Sequence, residues 1–169
     1  MWFISGKVEW LPLYLILIGY IIYRYRWQSI AIIAAVILAI TLTDQLAVKA
    51  FKEVFERLRP GHNPEIQHLV HIVNDYRGGS YGFVSNHAAN SFALAMFLSF
   101  LFSNKNFSIV IFTWAILVSY SRIYIGVHYP GDIVGGALLG MLIGWSIYQI
   151  YTLLLKKVRL FHNRTGHHI

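Results

Sequence analysis

Polar and ionisable side chains fall into three short groups, each at the end of an apolar run. The groups are Lys52 with Arg59-Pro60, Ser85-Asn86-His87, and Ser121-Arg122 with His128 and Asp132. Ionisable groups at membrane depth are costly to bury, so by default they mark function. Three cations, two imidazoles and one carboxylate are the side chains needed to bind a phosphate and break its ester bond.

The three cations suit the charge of a phosphate. Arg59 and Arg122 can each fork onto two phosphate oxygens, and Lys52 can add a point charge. Pro60 predicts that the helix carrying Lys52 ends just after Arg59, which places the guanidinium at the aqueous rim. The alternative for Lys52 and Arg59 is snorkelling at the membrane interface, and either residue alone favours that interpretation.

His128 and Asp132 are four residues apart, with Pro130 between them predicting the start of a helix. Residues at this spacing share a helix face, so Asp132 can accept the proton of one ring nitrogen and leave the other free. The alternative is an acid that caps the helix start beside an interface histidine. The pair alone does not decide between the two.

The second group lies where the third apolar segment begins. A helix start offers free backbone amides to an anion, Ser85 adds a hydroxyl, and Asn86 can adopt a left-handed conformation at modest cost. His87 is then placed to donate a proton to a leaving oxygen. In isolation, a capping cluster with a structural histidine is the better interpretation.

The composition is that of an integral membrane protein. The 169 residues are 57% hydrophobic and 12% charged, against about 25% charged in a soluble domain. The absence of cysteine excludes disulfides and thiolate metal sites. The net charge of +7 is explained by juxtamembrane basic residues, so no nucleic-acid partner is expected.

Five apolar segments predict an all-α, polytopic transmembrane helix bundle in a single domain, residues 1–169. They lie at about 10–23, 29–51, 87–103, 107–121 and 133–155, followed by a polar tail at 160–169. A perpendicular span needs about 20 residues, which the second and fifth provide. Tight connections imply antiparallel neighbours. Gly136, Gly140 and Gly144 predict close helix packing.

The long loop at 61–84 carries a helical pattern of its own. Asn63-Pro64-Glu65 is typical of a helix start, and apolar residues follow at helical spacing. We therefore expect a short helix in the membrane interface. A surface helix that packs its apolar stripe is the favoured interpretation, and a lid over a lipid substrate is the functional one.

Basic residues predict the orientation of the bundle. They divide equally between the two faces, but Lys52, Arg59 and Arg122 have a chemical reason for their place. With those three discounted, the positive-inside rule puts the C-terminus in the cytoplasm. The N-terminus and all three polar groups then lie on the outer side of an inner membrane.

In combination, the three groups resemble the three-part signature of the type 2 phosphatidic acid phosphatase (PAP2) superfamily. The first and third parts match fully, as Lys52, six residues, Arg59-Pro60 and as Ser121-Arg122, five residues, His128, three residues, Asp132. The second part is usually Pro-Ser-Gly-His and here reads Val84-Ser85-Asn86-His87, which keeps the serine and histidine. Three motifs in the right order over residues 52–132 form a specific signal.

The resemblance implies a role for each residue. His128 attacks phosphorus and becomes a phosphohistidine, Asp132 orients it, and His87 protonates the leaving alcohol and then helps to activate water. The phosphoryl oxygens are held by Lys52, Arg59, Ser85, the amide of Asn86, and Arg122. The resemblance implies no metal and no cofactor. It also implies six spans with the N-terminus inside, so we expect that a family helix or amphipathic segment precedes the equivalent of Met1.

The function expected from this resemblance is metal-independent dephosphorylation of a membrane lipid phosphate or diphosphate. Polyprenyl diphosphate, phosphatidylglycerol phosphate, phosphatidate and a lipid A phosphate are all candidates. Phosphoryl transfer to another lipid, a non-catalytic lipid-phosphate-binding protein and a serine hydrolase are the alternatives. The serine hydrolase is disfavoured because no Gly-x-Ser-x-Gly elbow is present.

Two sets of residues have no place in this chemistry. Asp44 lies deep in the second segment, and we expect it to hydrogen-bond to a neighbouring helix. His62, His68 and His71 lack a fourth ligand at a diagnostic spacing, so a solvated loop is preferred over a metal site.

Overall fold

The computed structural model describes residues 1–6 and 8–165, with side chains as far as Val158. The α-helices are α1 (Trp2–Ser5), α2 (Leu11–Tyr25), α3 (Gln28–Leu46), α4 (Asn86–Phe102), α5 (Lys105–Tyr124) and α6 (Pro130–Thr165). Helix α3 continues through a π-helical segment, Ala47–Lys52, and a last α-helical turn, Glu53–Phe55. Short 3₁₀ turns lie at Val8–Trp10, Pro60–His62 and Val73–Asp75.

The predicted all-α membrane bundle is confirmed, and each of the five apolar segments forms a helix. Three helices in the described part are long and apolar enough to cross a membrane: Gln28–Phe55, Lys105–Tyr124 and Pro130–Val158. Helices α2 and α4 have 15 and 17 residues, below the roughly 20 of a perpendicular span. The count of five spans therefore stays a prediction.

Helix α4 occupies the centre and packs closely on α6 through small residues. A Cβ atom at Gly136 would lie 2.6 Å from the carbonyl oxygen of Ser85, and at Gly140 and Gly144 it would meet the backbone of Ala89 and Ala93. These glycines let the two helices approach without a side-chain barrier, as the sequence predicts. The packing joins the starts of both helices, where the Ser85 amide donates to the Asp132 carbonyl at 3.0 Å.

The end of the helix that carries Lys52 differs from expectation. The helix ends at Phe55, with Glu56 in a left-handed conformation, rather than at Arg59. The following residues run extended because they pair with a second segment of the loop. Leu58 forms a bridge with Tyr81, and the Arg59 amide donates to the Ser80 carbonyl at 3.0 Å.

The predicted interfacial helix in the 61–84 loop is wrong as an α-helix, because residues 64–69 form turns instead. Asn63 does cap this region, since its Oδ1 accepts the Glu65 amide at 3.1 Å. The chain then leaves helical geometry to pack on other parts of the fold. A Cβ atom at Gly126 would lie 2.7 Å from the His71 carbonyl oxygen, which shows how closely the loop approaches α5's end.

The polar tail at 160–169 is helical backbone as far as Thr165. Its His167-His168 pair lies outside the described residues. The tail, the single domain and the lid interpretation of the loop remain predictions.

Candidate active site

A cavity of about 1050 Å³ opens between helices α2, α3, α4 and α5. One end is polar and is lined by residues from all three sequence groups: Lys52, Arg59, Asn86, His87, Arg122 and His128. The remainder is mostly apolar, with Leu17, Ile21 and Ile40 among its walls. The structure thus gathers three cations and both imidazoles at the head of one apolar cavity.

His128 and Asp132 form the expected pair at the start of α6. His128 Nδ1 lies 3.2 Å from Asp132 Oδ2, and the two residues are 3% and 0% exposed. A carboxylate can only accept, so Nδ1 carries the proton and Nε2 keeps its lone pair. The Tyr129 amide also donates to Oδ2, at 2.9 Å, which fixes the carboxylate. The site therefore holds an oriented imidazole with one nitrogen free to react.

Arg57 is a contact of Asp132 that the motif analysis missed. Its guanidinium donates to Asp132 Oδ1 at 3.1 Å and lies 4.3 Å from the centre of the Tyr129 ring. The only sequence signal is spacing, because residues two apart in an extended segment point the same way, and Arg57 precedes Arg59 by two. That signal depends on knowing that the helix stops at Phe55.

Arg59 is held at the edge of the cavity. It is 8% exposed, and its Nε donates to the Tyr81 carbonyl at 3.1 Å. Burial lowers the pKa of Arg59, and the nearby charge of Arg122 adds to this effect. An arginine nevertheless stays protonated at neutral pH, so the guanidinium remains a cation that an anion would stabilise.

Arg122 is held by Ser5 and lies 5.7 Å from the centre of the Tyr76 ring. Its Nη1 donates to the carbonyl and hydroxyl oxygens of Ser5, which is 117 residues away. Its buried Nε has no partner among the described residues. Because unpaired buried donors are costly, the guanidinium has capacity left for an anionic ligand. No sequence pattern indicates the contact with Ser5.

In the second sequence group, the side chain of Asn86 links Lys52 to Asp44. Lys52 Nζ donates to Asn86 Oδ1 at 2.5 Å, and Asn86 Nδ2 donates to Asp44 Oδ1 at 2.8 Å. Asn90 Nδ2 donates to the same oxygen at 2.9 Å. The expected hydrogen bond between Asp44 and a neighbouring helix is confirmed, and the side chain of Asn86 positions Lys52.

Ser85 and His87 have different surroundings. Ser85 is fully buried, and its hydroxyl caps α4 by accepting the Ala88 amide at 3.5 Å. His87 lines the cavity. Phosphate binding by the Ser85 hydroxyl stays a prediction.

Among the residues with described side chains, no three His, Asp or Glu side chains gather as a metal site, and His62 instead contacts the Gly78 carbonyl at 3.2 Å.

The His128 ring is expected to stay neutral in mildly acidic solution. Burial lowers the pKa of His128 from 6.5 to about 4; the hydrogen bond that His128 donates to Asp132 opposes this shift, and the charge of Arg59 adds to it. Because the pKa of His128 is lower in the folded than in the unfolded protein, protonation favours unfolding. His128 therefore lowers the free energy of unfolding as the pH falls below 6.5, and this loss is complete below about 4. Titration of ¹⁵N-histidine protein by NMR, with His128→Gln for assignment, should give a midpoint near 4. A midpoint at or above 6.5 would contradict the burial argument.

The comparisons with known proteins match the site. The model of the PAP2 superfamily matches residues 30–156, which includes all three polar groups. This chain belongs to the PAP2 superfamily. The match supports the resemblance based on the three motifs, and it covers the helices that line the polar end of the cavity.

Curated relatives of this PAP2 protein are named as lipid phosphatases. The lipid A 4'-phosphatase of Bacteroides thetaiotaomicron is 45% identical over 149 residues, which cover 86% of this chain and 66% of the relative. The phosphatidylglycerophosphatase B of Bacillus subtilis is 34% identical over 143 residues, covering 79% of this chain and 63% of the relative. The chain thus spans slightly less than two thirds of these relatives.

Solved structures show the same fold. A transmembrane PAP2-type phosphatidylglycerolphosphate phosphatase from Bacillus subtilis has a TM-score of 0.63 at 23% identity, covering 91% of this chain and 72% of that one. Aquifex aeolicus LpxE has a TM-score of 0.60 at 27% identity, covering 80% and 77%. The PAP2 membrane fold is therefore shared across these chains.

Proposed function

We propose that this protein hydrolyses the phosphate of a membrane lipid through a phosphohistidine intermediate. The observation that carries the proposal is the position of the cations and imidazoles at the polar end of an apolar cavity. Such a cavity suits a ligand with a charged head and a hydrocarbon body. The names of the relatives support the same class of substrate.

The first step transfers the phosphoryl group to the enzyme. Nε2 of His128 attacks phosphorus, an N–P bond forms, and the ester P–O bond breaks. His87 gives its proton to the leaving oxygen, which departs as the lipid alcohol. Asp132 keeps the proton on Nδ1 and stabilises the charge that His128 gains.

The second step returns the enzyme to its starting state. His87, now neutral, takes a proton from water while the water oxygen attacks phosphorus and the N–P bond breaks. Lys52, Arg59 and Arg122 stabilise the charge on the equatorial oxygens in both steps. The amide of Asn86 at the start of α4 adds a hydrogen bond to the same oxygens.

A lipid A-type phosphate is the first substrate to test, because two relatives at 45% and 39% identity are named lipid A 4'-phosphatases. Phosphatidylglycerol phosphate, phosphatidate and polyprenyl diphosphate remain candidates. The proposed location is the inner membrane, with the site on the outer face, the N-terminus outside and the C-terminus in the cytoplasm. Charge distribution supports this orientation.

Phosphate release from a panel of these four lipids in detergent, with and without EDTA, tests the proposal. We expect release from at least one lipid at a rate that EDTA changes by less than about twofold, since three cations supply the charge stabilisation. Loss of activity in EDTA would overturn the metal-independent mechanism. Transfer of phosphate to a second lipid, with none released, would indicate the transferase. A folded protein that binds but turns over none of the panel would indicate a non-catalytic function.

A further inference from the structure

The wall of the cavity carries a polar cluster below the phosphate site. Asp44 and Gln45 of α3 and Asn90 of α4 line the cavity between the cationic end and the apolar remainder. Asp44 lies inside a membrane-crossing helix, where a carboxylate is costly and needs hydrogen-bond donors. The proposed chemistry at His128 uses none of these three side chains.

The cluster contains one acceptor that is used and one that is unpaired. Asn86 Nδ2 and Asn90 Nδ2 both donate to Asp44 Oδ1, at 2.8 and 2.9 Å. The Asn90 side-chain oxygen, Oδ1, is buried and has no hydrogen-bond partner among the described residues. An unpaired buried acceptor is costly, so this oxygen can take a donor from a ligand. Holding Asn86 in place explains the contacts of Asp44 but not the unpaired oxygen of Asn90.

The cluster lies at a defined distance from the phosphate-binding cation. Asp44 is two hydrogen bonds away from Lys52 Nζ, through the side-chain amide of Asn86, at 2.5 and 2.8 Å. A phosphate on Lys52 therefore brings the next chemical group of its ester within reach of the carboxylate.

We propose that Asp44, with Asn90, binds hydrogen-bond donors of the substrate next to its phosphate, such as sugar hydroxyl or amide N–H groups. The inference rests on the proposed function and narrows it to phosphate monoesters whose alcohol carries such a donor, as the sugar of a glycolipid does. Charge-assisted hydrogen bonds to a carboxylate are stronger than neutral ones, so donor-bearing lipids gain affinity here.

The same cluster disfavours phosphatidate and polyprenyl diphosphate. These lipids offer no hydroxyl or amide donor beside the ester, and would leave the Asn90 Oδ1 acceptor unpaired. A polyprenyl diphosphate with its terminal phosphorus at His128 would place its second anionic phosphate toward Asp44. Like charges repel, so the cluster selects against that substrate as well as for a sugar.

Asp44→Asn is the decisive variant because it is isosteric. The retained oxygen still accepts from Asn86 and Asn90, while the other oxygen becomes an NH₂ group that cannot accept. The measurement is the ratio of kcat/KM for lipid A to kcat/KM for dioleoyl phosphatidate, in detergent. We expect the ratio to fall by roughly tenfold or more, as sites that lose a substrate hydrogen bond do.

Ser91→Ala is the matched control, since Ser91 lines the same cavity but donates to the Ala88 carbonyl of its own helix. We expect it to leave the ratio unchanged. An Asp44→Asn protein that loses both activities by the same factor, or neither, would overturn the inference and assign Asp44 a structural role. If the unsubstituted protein hydrolyses no lipid on the panel, the proposed function fails instead.

Discussion

Replacing His128 with alanine is expected to lower kcat/KM for phosphate release by about 10³-fold or more, because the substitution removes the attacking nitrogen. The remaining cations still bind phosphate, so the apparent KM should change far less than kcat. Initial rates of phosphate release from lipid A in detergent measure both. Alanine at this position leaves a buried space, so thermal unfolding of the variant should accompany the kinetics.

His68→Ala is the control for the loss of a histidine. His68 is exposed in the loop and does not line the cavity. We expect the activity of the His68→Ala variant to stay within about twofold of that of the unsubstituted protein, as is usual for surface substitutions. A folded His128→Ala protein that keeps more than a tenth of the activity would contradict the assignment of the nucleophile.

Replacing Asp132 with asparagine is expected to lower kcat by about 10³-fold while leaving the fold in place. The carboxylate accepts from His128 Nδ1, the Tyr129 amide and Arg57, at 3.2, 2.9 and 3.1 Å. An asparagine has one oxygen and cannot accept from all three. The His128 tautomer is then no longer fixed, and Nε2 loses its free lone pair in part of the population.

Rates of phosphate release and circular dichroism melting separate the two consequences of Asp132→Asn. The weakened contact with Arg57, whose side chain is 43% exposed, should also reduce stability, because Asp132 itself is fully buried. Activity within about threefold of the unsubstituted protein would show that Asp132 does not orient the nucleophile, whatever the melting temperature.

Much of the fold could be predicted from the sequence because apolar run length is a local property. All five apolar segments became helices, and the glycines of α6 pack on α4 as expected. The end of α3 and the loop were not predicted, because both depend on pairing across the chain. Leu58 bridges Tyr81, and the backbone at His71 lies against Gly126, so local helical preference was overridden.

The residues of the candidate site also fall into those that the sequence predicted and those that it did not. The cations and imidazoles were found because their spacing matches a motif, and the structure brings them to one cavity. Ser5 and Arg57, which hold Arg122 and Asp132, were missed. Asp44 was identified as a helix-to-helix contact, but its link to Lys52 through Asn86 requires three side chains from two helices. Such partners are set by tertiary packing and carry no spacing of their own.

Transfer of label to His128 is the most direct test of the proposed phosphohistidine intermediate. Radiolabelled lipid A is mixed with protein, quenched in alkali within milliseconds, and the labelled peptide is identified. We predict an acid-labile label on His128 that forms in the unsubstituted protein and is absent from His128→Ala. Label on Ser85 or Ser121, or label that persists in His128→Ala, would contradict the mechanism.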